Sequence, residues 1–178
     1  MIFKYRLMGT GWAECFFEIN SQAFTFAASY VTDALKYLLE TLIDINPLYM
    51  DPAYDDFSFK WNGEPNELEW NFQVLSNGKI VIKVTENDGF GEGLTSKIKT
   101  ECNYDDFLSE IIREMKALLK KYGIVGYKDN WGYDFPVTEL IQLNYYLKSK
   151  TSYPFTTIIE DYSELNCSDL NNDLKELI

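Results

Sequence analysis

Trp12-Ala13-Glu14-Cys15-Phe16-Phe17-Glu18-Ile19 runs into the polar Asn20-Ser21-Gln22, and Phe24, Phe26 and Ala28 then follow at every second position. In an extended chain Ala13, Cys15, Phe17 and Ile19 share one face, the polar tripeptide turns the chain, and the return strand presents an apolar face of its own. A helical segment comes next, and the whole pattern of hairpin then helix recurs. Trp70, Phe72 and Val74 alternate up to Ser76-Asn77-Gly78, Ile80, Ile82 and Val84 come back, and after one more extended piece a second helix starts at Tyr104. Asn77-Gly78 is the strongest short hairpin signal in the chain, since both residues accept the positive φ that tight hairpin turns require.

The helical segments carry matching stripes. Ala34, Leu35, Leu38, Leu39, Leu42 and Ile43 make the first one-sided, and Phe107, Ile111, Ile112, Met115, Leu118 and Leu119 do the same for the second. These spacings predict helices over about 30–45 and 104–121, each covering a face of a sheet. Ser29 or Thr32 can cap the first. Asn103 can cap the second, which has Asp105 and Asp106 at its positive end, Lys120 and Lys121 at its negative end and Gly123 to stop it. Pro136, Val137, Leu140, Ile141, Asn144 and Leu147 predict a third helix over about 136–148.

Working outward, residues 2–7 read as a strand that Gly9-Thr10-Gly11 turns into the one carrying Trp12. Pro47 and Pro52 mark a loop, Phe57, Phe59 and Trp61 alternate as a strand, 61–66 reads as a turn, and Leu94–Cys102 reads as another strand. The expected fold is α+β: an antiparallel sheet of about six or seven strands, built from two hairpin-helix halves, with helices on one face. The second face would carry Trp12, Phe16 and Trp61, covered by the other half or by a second copy, so a homodimer through an exposed sheet face or edge is conceivable. Residues 1–150 are expected as a single domain. Residues 151–178 form an acidic C-terminal segment in which Leu170, Leu174, Leu177 and Ile178 could make a short helix.

The chain has 178 residues, 46% of them hydrophobic, a net charge of -12 and no histidine. Its hydrophobic content argues for a folded protein, and no apolar run approaches the roughly 18 residues of a membrane span. The first residues lack a signal-peptide pattern, so the cytoplasm is the expected location. Cys15, Cys102 and Cys167 are odd in number and far apart, which suits reduced thiols, the first two as small core residues. The acid excess is spread along the chain without a basic stripe, which disfavours nucleic acid and anionic membrane and favours a basic protein partner.

Without histidine, Ser-His-Asp and Cys-His catalysis and histidine-ligated metals are excluded. Gly89-Phe90-Gly91-Glu92-Gly93 has neither phosphate-loop nor dinucleotide spacing. Glu86, Asp88 and Glu92 could gather calcium, but their spacing is not that of an EF-hand loop, and a solvated loop is the plainer account. No metal or cofactor is expected. Glu64, Glu67 and Glu69 sit beside Trp61 and Trp70, and carboxylates flanked by aromatics are how sugar hydrolases are built. Residues 127–135 hold Tyr127, Asp129, Trp131, Tyr133 and Asp134: either a recognition loop or a connection that its large aromatics pin to the core.

Gly11-Trp12-Ala13-Glu14, Ser29-Tyr30-Val31-Thr32-Asp33-Ala34-Leu35, Trp61 with Glu64-Pro65 through Trp70, and Gly126-Tyr127 with Trp131 through Phe135-Pro136-Val137-Thr138-Glu139-Leu140 are together similar to a widespread group of small bacterial proteins with no assigned activity. The resemblance spans residues 11 to about 147. It implies a shared fold in a bacterial cytosolic protein and transfers no catalytic residue. Two functional classes follow from the residues: a noncatalytic binding protein of inhibitor or immunity type, and a carboxylate-dependent hydrolase using the glutamates near Trp61 and Trp70.

Overall fold

A computed structural model describes residues 1–51, 54, 56–90 and 93–177. Pro52, Gly91, Glu92 and Ile178, which entered the loop, calcium and terminal-helix expectations, lie outside the described residues. The chain begins as a three-stranded meander, β1 (Ile2–Gly9), β2 (Trp12–Ile19) and β3 (Gln22–Ser29), followed by helix α1 (Ala34–Asp44). A four-stranded meander comes next, β4 (Asp56–Asn62), β5 (Glu67–Val74), β6 (Lys79–Asn87) and β7 (Leu94–Asn103). It leads into α2 (Tyr104–Trp131) and α3 (Val137–Ser149). A separate hairpin, β8 (Thr156–Glu160) and β9 (Ser163–Cys167), and a short helix, α4 (Leu170–Leu177), complete it. Every strand pairing is antiparallel.

The α+β class and the near-repeat of meander and helix are as expected. The single sheet is not: among the described residues β1–β3 and β4–β7 are separate hydrogen-bonded sheets, and β8–β9 is a third. Side chains stand where a continuous ladder would run. The Gln22 amide, at the start of β3, donates to Lys99 O at 3.2 Å and accepts from Lys99 N at 2.9 Å, taking the place of a paired backbone on β7. Asn20 Nδ2 adds a bond to Thr100 Oγ1 at 2.7 Å. At the other end of β3, Thr32 Oγ1 accepts from Asn62 N at 3.0 Å, and Gly63 comes so near that an added Cβ would lie 2.7 Å from Phe26. Thr32 and Ser29 therefore tie the sheets together rather than cap α1, whose N-cap position is Asp33.

Both sheets turn their apolar face to one core. Ala13, Cys15, Phe17 and Ile19 are buried as the alternation requires, and so are Phe24, Phe26 and Ala28. Trp70 sits at the centre, with Phe59 and Phe72 stacked on it at 6.0 and 6.1 Å and Phe17 at 5.5 Å. Trp61 was expected on the second face. It is fully buried, because its indole N–H donates to Ala34 O at 2.7 Å and fastens β4 to the start of α1. Trp12 and Phe16 are half-buried.

The helix stripes pack as read: Leu35, Leu38, Leu42, Ile111, Met115 and Leu118 are all buried. Asn103 caps α2, accepting from Asp105 N at 2.9 Å. Gly123, expected to end this helix, instead interrupts it at φ 66 and ψ 177, and the chain resumes helical geometry to Trp131. Glu114 on α2 covers the outer edge of β1: its carboxylate accepts from the Tyr5 backbone N–H at 3.0 Å and from Lys4 at 2.9 Å. No helix among the described residues is long and apolar enough to cross a membrane.

Candidate interaction surface

The segment 127–135 divides by burial. Tyr127 and Trp131 are fully buried on the last turns of α2, whereas Asp129, Tyr133 and Asp134 are exposed. As members of an interaction surface, Tyr127 and Trp131 are thus displaced: they pin the connection, Tyr127 edge-on to Phe135 at 5.1 Å and Trp131 edge-on to Tyr5 at 6.1 Å. The α2–α3 corner is closed by Gly132 in the left-handed region at φ 101 and by an ion pair from Lys128 to Asp134 at 2.7 Å. Asp129 borders a shallow depression of about 260 Å³ with Thr10, Gly11, Tyr30, Asn130 and Trp131. Gly11 N donates to Asn130 O at 3.0 Å and Tyr30 N to Gly11 O at 2.8 Å, so the β1–β2 turn, the chain after β3 and the end of α2 meet there.

Beneath this corner lies a polar cluster that the sequence did not reveal. Asp33 Oδ1, Tyr5 Oη, Tyr127 Oη and Trp131 Nε1 are buried, and none closes a hydrogen bond. Burial pushes Asp33 up to about 6, against the weaker opposing pull of the Trp131 indole and the Lys36 backbone N–H, neither of which reaches it in full hydrogen-bonding geometry. Burial also raises both tyrosines, with the neighbouring carboxyl adding to the effect. Buried polar atoms in want of partners are where ordered water is held in a core.

Glu64, Glu67 and Glu69 belong to the β4–β5 turn and the solvent side of β5. Glu64 is exposed, and Glu67 pairs with Lys60 across the strands at 3.1 Å. Among the described residues no cluster of acids and cysteines has the geometry to hold a metal ion. In the Gly-rich loop, Asp88 Oδ1 accepts from Phe90 N at 3.0 Å, and Glu86 sits apart on β6, ion-paired with Lys97 and accepting from Asn66. Cys15 is buried, Cys102 half-buried with burial pushing its thiol up to about 12, and Cys167 exposed; all three are free thiols.

The most distinctive surface is in the segment beyond residue 150. β8 and β9 pair from Thr156↔Cys167 to Glu160↔Ser163, and every residue of both strands is exposed. Asp161 and Tyr162 form the turn, with φ 47 and 67, and Tyr162 is wholly in solvent. Phe155 and Ile159 are 51% and 76% exposed, so the arm shows large apolar groups beside Glu160, Asp161 and Glu164. Its base is fixed: Asp173 on α4 accepts from Tyr153 Oη at 2.6 Å before β8 and from Ser168 Oγ at 2.8 Å after β9. Glu176 holds α4 to α3 through Asn144 and Lys148. A signal for the hairpin was present in Thr156-Thr157-Ile158-Ile159, a β-prone run. It is easily passed over, because Asp-Tyr is not a usual hairpin turn.

Comparison with known proteins leaves the geometry to speak alone: no family model, curated protein or solved structure matches this chain.

Proposed function

We propose that this chain is a noncatalytic protein-binding module of inhibitor or immunity type, acting in the cytoplasm on a basic protein partner. The observation that carries the reading is the β8–β9 arm, held at its base by Asp173 and exposed along its whole length. Between residues 151 and 174 the charged residues are Glu160, Asp161, Glu164, Asp169 and Asp173, and none is Lys or Arg. Exposed aromatic and aliphatic groups supply contact area, and a one-signed rim draws in a partner of opposite sign and sets its orientation.

The test is affinity capture with the intact chain and with a variant carrying Glu160→Lys, Asp161→Lys and Glu164→Lys, each folded by circular dichroism. Basic proteins held by the parent and lost by the variant support the proposal, provided their association slows as salt is raised. Identical captured sets, or partners that are acidic, count against it. Turnover of a glycoside or ester that disappears on changing Glu64, Glu67 or Glu69 to Gln would replace it with the hydrolase alternative.

A further inference from the structure

We infer that the partner completes the arm as a third strand: an extended, Lys- or Arg-bearing segment pairs with an open edge of the β8–β9 hairpin. This inference rests on the binding role proposed above and specifies its mode. In a hairpin closed by a two-residue turn, the pair flanking the turn exchanges backbone hydrogen bonds and the next pair points its backbone outward. The register makes Glu160↔Ser163, Ile158↔Leu165 and Thr156↔Cys167 the bonded pairs. Thr157 and Ile159 on β8, and Glu164 and Asn166 on β9, then aim N–H and C=O groups away from the hairpin, and no third strand joins this sheet among the described residues.

Two features set these edges apart from those of β1, β3 and β7. The β1 edge is closed by the Glu114 carboxylate on the Tyr5 N–H, and β3 and β7 are bridged by the Gln22 amide. A two-stranded hairpin without a covered face is marginal in water, and open edges ordinarily carry protective lysine or proline. Here the strands from Thr156 to Cys167 carry neither. Charge decides the occupant. A second copy would bring Glu160, Asp161 and Glu164 against their own counterparts, whereas a basic strand would neutralise them while filling the outward backbone positions.

The probe is a synthetic peptide of alternating Lys and Val, with an alternating Glu and Val peptide and a proline-interrupted Lys and Val peptide as controls. Binding to the full chain is read by fluorescence anisotropy. Ile159→Pro and Glu164→Pro each remove one outward N–H without touching a bond inside the hairpin. The expected result is binding of the Lys peptide alone, with a tenfold or greater loss in one of the two proline variants and retention in the other. If the triple lysine variant abolishes binding but neither proline variant does, side-chain docking replaces strand pairing and the protein-binding role stands. If the Lys peptide binds the triple lysine variant as well as the parent, or does not bind the parent, the arm is not the site. A hairpin-dependent dimer in sedimentation would make a second copy the occupant and overturn the inference.

Discussion

β2–β3 and β8–β9 are the same local object in two environments. Each is an antiparallel hairpin closed by two non-glycine residues with positive φ, 47 and 63 at Asn20 and Ser21, 47 and 67 at Asp161 and Tyr162. In the first, alternate residues are buried under α2 and against the second sheet; in the second, not one residue is buried. Turn geometry is thus a local property, while the free energy that holds a hairpin comes from what covers it. The inner hairpin has its cover within the chain. The outer one is fastened at its base and awaits a cover from elsewhere.

The comparison breaks most visibly under truncation. Phe17→Ala or Trp70→Ala should destabilise the protein by about 3–5 kcal/mol, because each removes an aromatic that several rings surround. Tyr162→Ala, as large a loss of side chain as Phe17→Ala, and the smaller Ile159→Ala should both stay within about 0.5 kcal/mol. Urea unfolding of the four variants measures both. A large loss from the outer pair would mean that the arm is packed in solution.

A smaller effect separates the two regions by pH. Asp33, beneath the inner sheets, keeps its proton up to about 6 in the folded chain, against about 3.9 when unfolded. Between those values the folded state binds more protons, so stability should fall as pH rises through the window and level off above it. Asp33→Asn should flatten that slope, whereas Ile159→Ala on the arm, which removes no titrating group, should leave it unchanged. Thermal melts from pH 4 to pH 8 decide the matter, and an unaltered slope in Asp33→Asn would place the titration elsewhere. Within the inner region a modest effect is expected from Gln22→Ala, about 1 kcal/mol, for loss of the amide that stands in for a strand pairing between β3 and β7. An unchanged urea midpoint would show that the sheets are joined by their core contacts alone.

Much of the body was legible because its elements are periodic. Ala13 to Ile19, Trp70 to Val74 and the leucine stripe of α1 each advertise one buried face, and each is buried on that face except at Val74, which is half-buried at the end of its strand. The division into two sheets was not legible, since it depends on Gln22 and Thr32 meeting backbone from strands far along the chain. Trp61 misled for a related reason: a tryptophan among polar residues looks exposed until its N–H finds Ala34 O. Asp33 could not be recognised as buried without knowing that Trp131, Tyr127 and Tyr5 converge on it. The arm escaped because its composition is that of a solvated tail, and burial-based patterns say nothing about a hairpin that is left uncovered.

Amide hydrogen exchange on the intact chain, free and saturated with the alternating Lys and Val peptide, tests the central claim most directly. In the free protein the amides of Thr157, Ile159, Glu164 and Asn166 should exchange rapidly while those of Cys15 and Phe17 are slow, and the peptide should slow the outward amides of one arm strand only. Protection of the arm in the free chain, or exchange indifferent to the peptide, would contradict the account.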